Sequence, residues 1–230
     1  MFSRTELLLG DDIKKLHSSN VIVFGVGGVG GYAVEMLARS GVGNITLVDF
    51  DKVDVTNKNR QIIALDSTIG KYKVDVMKDR IADFNNDCNV NVIREKLLVD
   101  NIEDFNLSKY DMIIDAIDMV TSKVALIVYA HQHSIPIISA MGAGNRLGVP
   151  NVKIVDIFDT HDDGLAKVIR KQLRNYNISK HNVVFCENTT SSSYKGVVGS
   201  IAYFPAVCGC MLSAYVIEEL IKGEKYGSKY

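Results

Sequence analysis

No C-x-x-C pair occurs in this sequence: its four cysteines, Cys88, Cys186, Cys208 and Cys210, are scattered. That spacing counts against a structural zinc site and against a disulfide framework. No zinc is expected, and a reducing cytoplasm is the expected location. Excess charge of one sign is missing too, since 26 basic and 27 acidic residues leave a net charge of -1 over 230 residues. Any contact with a polyanion must therefore come from a local patch. There is no G-x-x-x-x-G-K-[ST] loop, no internal repeat and no flexible linker. Arg4, Glu6, Asp11 and Asp12 interrupt the first residues, which lack the profile of a signal peptide. Charge is absent from 196–217, a length that would suit a membrane span. Gly199, Pro205, Gly209 and Ser213 within it favour a strand or loop followed by a buried helix over 205–222, stopped by Gly223. No membrane partner is expected.

What the chain does have is a glycine turn in a telling place. The apolar run Val21-Ile22-Val23-Phe24 leads into Gly25-Val26-Gly27-Gly28-Val29-Gly30, and a helical pattern follows at 32–40. Strand, glycine turn and helix in that order form a phosphate-binding unit, because bare glycines let phosphate approach the N–H groups at the start of the helix. Gly25, Gly27, Gly28 and Gly30 are the candidate contacts. Asp49 ends the next apolar run at the spacing of a ribose-binding acid.

Alternation continues along the chain. Strands are expected at 21–24, 45–49, 90–93, 111–118 and 136–139, and helices at 70–84 and 122–133, with a weak helix and connector at 98–107. Beyond Gly144 the pattern gives a strand at 152–158, a basic helix at 164–174, a strand at 183–187 and a polar loop at 189–193. The fold class is α/β, a Rossmann-like, mainly parallel sheet with flanking helices and ligands at the carboxyl ends of the strands. A single domain is expected. Residues 1–19 form a helical arm docked through Leu7, Leu8, Ile13 and Leu16, 20–145 the nucleotide-binding core, and 146–230 the sheet completion, substrate region and last helix.

An ordered set of motifs resembles one superfamily. Phe2-Ser3-Arg4-Thr5, the glycine turn, Leu47-Val48-Asp49-Phe50-Asp51, Thr56-Asn57-Lys58-Asn59-Arg60-Gln61, Gly70-Lys71-Tyr72-Lys73 and Asp115-Ala116-Ile117-Asp118 look like the ThiF-type, ubiquitin-activating adenylating fold. The resemblance implies activation of a carboxylate with ATP. It implies that Asp49 holds the ribose, that Asp51, Asn57 and Asn59 line the site, that Arg60 and Lys73 bind the triphosphate, and that Asp118 holds magnesium through water. Arg4 would reach across a homodimer interface into the partner's site. Physical chemistry asks for the same groups: a carboxylate approaching phosphate brings two anions together, so cations must neutralise the developing charge.

Within the superfamily, 2–10, 115–123 and 199–205 look like the tRNA threonylcarbamoyladenosine dehydratases. That branch activates the threonylcarbamoyl carboxylate on an anticodon-loop adenosine of tRNA and closes a ring with loss of water. Lys167, Arg170, Lys171 and Arg174 fall at i, i+3, i+4 and i+7, so a helix would present them on one face to phosphates or simply to solvent. Cys186 lies near where sulfur-carrier activators place a reactive thiol, but an apolar strand is also a common home for an inert cysteine. The main rival reading is adenylation of a small ubiquitin-like sulfur-carrier protein, whose activators commonly carry the zinc pairs that are missing here. A nicotinamide-dependent oxidoreductase leaves Arg60, Lys73 and Asp118 without a shared purpose. A non-catalytic nucleotide-binding regulator would bind ATP without turnover.

Overall fold

Every residue from Val21 to Phe24 is buried, as a strand covered on both faces requires. In the computed structural model, which describes residues 1–188 and 198–222, this run forms β1 (Asn20–Phe24) in the interior of a seven-stranded sheet. The other strands are β2 (Asn44–Val48), β3 (Asn89–Ile93), β4 (Met112–Asp115), β5 (Ile137–Ala140), β6 (Val152–Asp156) and β7 (Asn182–Cys186). Their spatial order is 3-2-1-4-5-7-6, all parallel except β6, which runs antiparallel to β7. The chain winds away from β1 in one direction through β2 and β3, then returns to start β4 on its other side. That reversal opens a crevice at the carboxyl ends of β1 and β4.

Alternation along β1 assigns its side chains to two cores. Val21 and Val23 join the apolar faces of α3 (Gly30–Ser40), α4 (Lys73–Phe84) and α7 (Tyr203–Ile221). Ile22 and Phe24 face the opposite layer, which includes α5 (Val120–Gln132). Beside it, α6 (Gly164–Asn175) packs Ile169 and Leu173 against α5 and β7.

α7 is long and apolar enough to cross a membrane, yet half of its most apolar window is buried in the protein. It crosses α3 so closely that a Cβ at Gly209 would lie 2.4 Å from the Val29 carbonyl oxygen. Phe204, Leu212 and Val216 are fully buried along it, each contributing about 1.5–3 kcal/mol of apolar burial. α7 begins at Tyr203 instead of Pro205, which fits because the first turn of a helix leaves its N–H groups unpaired anyway.

Three expectations need correction. The strand expected over 111–118 stops at Asp115, because the Asp115 carboxylate accepts from the Ile117 N–H and turns the chain out of the sheet. The weak helix at 98–107 is a pair of 3-10 turns, Ile102–Phe105 and Leu107–Lys109, separated by Asn106 in a left-handed conformation. In the arm, α1 (Ser3–Leu9) leaves Leu7 and Leu8 exposed at 86% and 79%, while only Ile13 and Leu16 of α2 (Ile13–Ser18) dock. Gly10, with φ +57°, breaks the arm into two short helices, so the apolar stripe is not continuous. The loop at 189–193 and the stop at Gly223 lie outside the described residues.

Candidate active site

The glycine turn takes its shape from contact between two glycines. A Cβ at Gly30 would sit 1.8 Å from the Gly25 carbonyl oxygen, and Gly25 itself has φ +90°. The turn is thus folded back on the start of α3, and its outer residues Gly25, Gly27 and Gly28 border a cleft of about 910 Å³. Gly30 does not border it; its role is the close packing that lets the turn form.

Asp49 follows β2 at the base of this cleft and is buried. Its Oδ2 accepts from the Val26 N–H at 2.7 Å and its Oδ1 from the Asp51 N–H at 2.8 Å, so one carboxylate ties the glycine turn to the next loop. Burial pushes the Asp49 carboxyl above its ordinary value, while the Lys73 ammonium and the two N–H donors pull it back.

The cations arrive from separate elements. Lys73, the first residue of α4, is buried, and its Nζ donates to Asp51 Oδ2 at 2.6 Å. Arg60 is half-buried on the polar loop, where its Nη1 donates to the Thr56 carbonyl oxygen at 3.0 Å and to Asn59 Oδ1 at 2.9 Å. Neither contact is a carboxylate, so among the described residues the guanidinium charge is positioned but not neutralised. Asn59 in turn donates to the Ser200 carbonyl oxygen at 3.0 Å, joining this loop to the segment ahead of α7. Asn57 borders the cleft but spends its side-chain oxygen on the Asp54 N–H at 3.0 Å, and so shapes the loop from within.

Asp118 lies beyond β4 at the border of the same cleft, exposed, with no hydrogen bond or ion pair among the described residues. It does not cap α5, which starts without a side-chain cap. The turn that carries it is pinned by Asp115 and Lys123, both fully buried, with Nζ to Oδ2 at 2.7 Å. Among the described residues no group of three or more His, Cys, Asp or Glu converges as a metal cage. Magnesium does not need one: it keeps several waters and commonly takes one or two carboxylates together with substrate phosphates. The exposed Asp118 carboxylate, without a partner among the described residues and bordering the same cleft as the glycine turn, fits that role.

Other expected residues fall elsewhere. Arg4 is exposed on α1 and does not border the cleft of its own chain. Cys186 is buried at the end of β7, outside the cleft lining, with its Sγ 3.2 Å from that of Cys208. The Cys208 thiol and the Arg146 guanidinium hold Cys186 below its ordinary thiol value against the opposing effect of burial, and Cys208 is pushed up. On α6, Lys167, Lys171 and Arg174 are exposed, but Arg170 is half-buried and donates to the Thr160 carbonyl oxygen at 2.8 Å. The basic face is therefore three residues, with the fourth tied to the preceding turn.

Two cleft features lie outside the sequence expectations. Gln61 is buried with its Oε1 unpaired among the described residues, and it sits beside Gly27. Its place next to Arg60 in the polar motif was the available signal. Phe50 is 48% exposed, with the Lys96 ammonium 5.3 Å above its ring. Those two residues follow different strands, and nothing in the local sequence links them.

The full sequence matches the ThiF family over residues 3–228. It is 41% identical to the tRNA threonylcarbamoyladenosine dehydratase of Bacillus subtilis, over 96% of this chain and 94% of that protein. It is 34% identical to the enzyme of the same name from Haemophilus influenzae, over 92% of this chain and 89% of that one. The fold superposes on the E. coli tRNA N6-threonylcarbamoyladenosine dehydratase in complex with ATP with a TM-score of 0.91 at 33% identity, covering 96% of this chain and 93% of that one.

Proposed function

The chain belongs to the ThiF family, and from that membership we propose that it is an ATP-dependent tRNA-modifying enzyme that activates the carboxylate of threonylcarbamoyladenosine and cyclises it with loss of water. One observation carries the reading: Arg60, Lys73 and Asp118, from three different elements, border one cleft with the glycine turn. The Bacillus subtilis and Haemophilus influenzae relatives, matched over nearly their whole lengths, support the choice of substrate.

Each group has a task in this chemistry. The N–H groups around Gly27 and Gly28 and the start of α3 receive phosphate oxygens. Asp49, held at the cleft base, accepts from a ribose hydroxyl. Arg60 and Lys73 offset the repulsion between the incoming carboxylate and the phosphates, an effect that grows as the cleft excludes water. Asp118 would hold magnesium, and the ion would supply further charge neutralisation at phosphate. Ring closure within the activated group then breaks the carbonyl carbon–oxygen bond, the oxygen leaves with the phosphoryl group it was joined to and the attacking group gives up its proton, so the nucleoside loses the elements of one water. The protein acts in the cytoplasm as a homodimer, with Arg4 of each protomer reaching the other's cleft. Support for that role comes from its exposure beside the uncovered Leu7 and Leu8.

The test is mass analysis of nucleosides from threonylcarbamoyl-bearing tRNA incubated with the protein, ATP and magnesium. A product lighter by one water, lost in Arg60→Ala and Asp118→Ala, is the expected result. Folded protein that binds ATP but leaves the nucleoside mass unchanged overturns the proposal and redirects the search to a carrier-protein substrate.

A further inference from the structure

α6 connects two depressions on this molecule. At its start, Leu165 borders the ATP cleft, and Asp163 accepts from the Gly142 N–H in the cleft wall at 2.9 Å. Just past its end, Tyr176 borders a second pocket of about 640 Å³ near the opposite end of the sheet. Twelve residues of helix separate the two, a rise of about 18 Å.

The outward face of that helix is cationic along its length. Lys167, Lys171 and Arg174 are exposed, and they face away from the sheet because Ala166, Ile169 and Leu173 take the buried face. Steps of four and three residues set these charges about 6 and 4.5 Å apart along the axis, close to the interval between neighbouring phosphates on one strand. Arg174 is steadied by the Phe158 ring, 5.5 Å below its guanidinium. Two carboxylates, Asp159 and Asp162, are exposed near the cleft end of the track.

The pocket at the far end has the chemistry of a site for a planar heterocycle. Tyr176 is 52% exposed and offers a ring face, while Ile135, Pro136 and Ile178 supply apolar wall. Gln132, Asn177 and Lys180 provide hydrogen-bonding groups at the same pocket. Among the described residues its one carboxylate, Glu219, is paired with Lys222. Aromatic faces beside a cationic track are how proteins hold unpaired nucleotides.

We propose that α6 is the guide rail for the tRNA: phosphates of one strand follow Lys167, Lys171 and Arg174 away from the cleft, and an unstacked base of the same tRNA stacks on Tyr176 in the second pocket. The inference rests on tRNA being the substrate. It adds a second anchoring point remote from the reacting nucleoside, so that the enzyme reads an extended stretch of the RNA.

Binding of threonylcarbamoyl-bearing tRNA, measured against salt concentration, tests both halves, with the thermal unfolding midpoint as the check on folding. The Lys167→Gln/Lys171→Gln double variant should bind on the order of ten-fold more weakly, with a salt slope shallower by about two phosphate contacts. Tyr176→Leu should weaken binding by roughly ten-fold with the wild-type salt slope, the signature of a lost stack. Wild-type affinity and slope in all variants, from a protein whose wild-type form still converts tRNA, overturn the guide rail and leave the proposed function standing. A wild-type protein that neither binds nor converts tRNA overturns both.

Discussion

Lys73 Nζ lies 2.6 Å from Asp51 Oδ2 in the cleft that the glycine turn, Arg60 and Asp118 also border. The ammonium is buried while the carboxylate side chain is 47% exposed, so the pair is lopsided. Asp51 thus fixes where the Lys73 Nζ lies in the cleft.

Lys73→Met should therefore lower the rate of tRNA dehydration on the order of a hundred- to a thousand-fold, the usual scale for one lost charge-stabilising donor. Arg60→Ala should produce a loss of the same order while leaving the thermal midpoint nearly unchanged, because its bonds are confined to its own loop. Single-turnover measurements with saturating ATP would check both; a wild-type rate in either variant removes that cation from the mechanism.

Gly30→Ala should destabilise the fold by about 3 kcal/mol or more, since the new methyl group has the Gly25 carbonyl oxygen only 1.8 Å away and the turn cannot yield without losing its shape. Urea unfolding provides the number. Gly27→Ala is the informative companion: its added Cβ meets nothing closer than the Gln61 Nε2 at 3.7 Å. Stability should survive there, and any effect should fall on ATP affinity.

Removing one member of the Asp115–Lys123 pair strands a charge where both side chains have no solvent exposure. Lys123→Met should cost about 3–5 kcal/mol, and the Asp115→Asn/Lys123→Met double variant appreciably less than the two single costs added together. Additive costs in a double-mutant cycle would rule out direct coupling.

These three cases show unequal legibility. The glycine turn could be read directly because its strand, turn and helix are contiguous, and Arg60, Lys73 and Asp118 because each sits in a recognisable short motif. The Asp115–Lys123 clamp could not, since, although the two residues are only eight apart, their pairing depends on how the turn at 116–119 folds the first turn of α5 back over the end of β4. Cys186 and Cys208 are likewise 22 residues apart, brought together only by α7 lying over β7. Leu7 and Leu8 misled for the opposite reason. Helical spacing identifies an apolar stripe but says nothing about whether the rest of the same chain covers it.

His181 contributes a pH effect. It is buried beside Ser139, its Nε2 2.9 Å from Oγ, and its Nδ1 faces His131 Nε2 at 3.3 Å. Burial, with the nearby His131 and Lys123, depresses its pKa to about 3. A histidine depressed on folding stabilises the native state fully above its unfolded value near 6.5, and that contribution is lost as pH falls toward the folded value, because the unfolded chain takes up the proton first. Urea midpoints followed from pH 7 down to pH 4 should fall less steeply in His181→Gln than in the wild type. Parallel curves would place the acid sensitivity in other groups.

The crossing of α7 over α3 has a further meaning for the order of events during synthesis. α3 opens the nucleotide-binding unit near the start of the chain, yet its outer face is covered by the last helix described, at a contact as close as that of Gly209 with Val29. Pro205 of that same helix forms part of the cleft wall. A nascent chain can pair β1 with β2 early, but the site stays open on one side until α7 leaves the ribosome. Long-range closure of this kind slows folding, and it makes nucleotide binding a late event, since the cleft lacks the wall that carries Pro205 until α7 is in place.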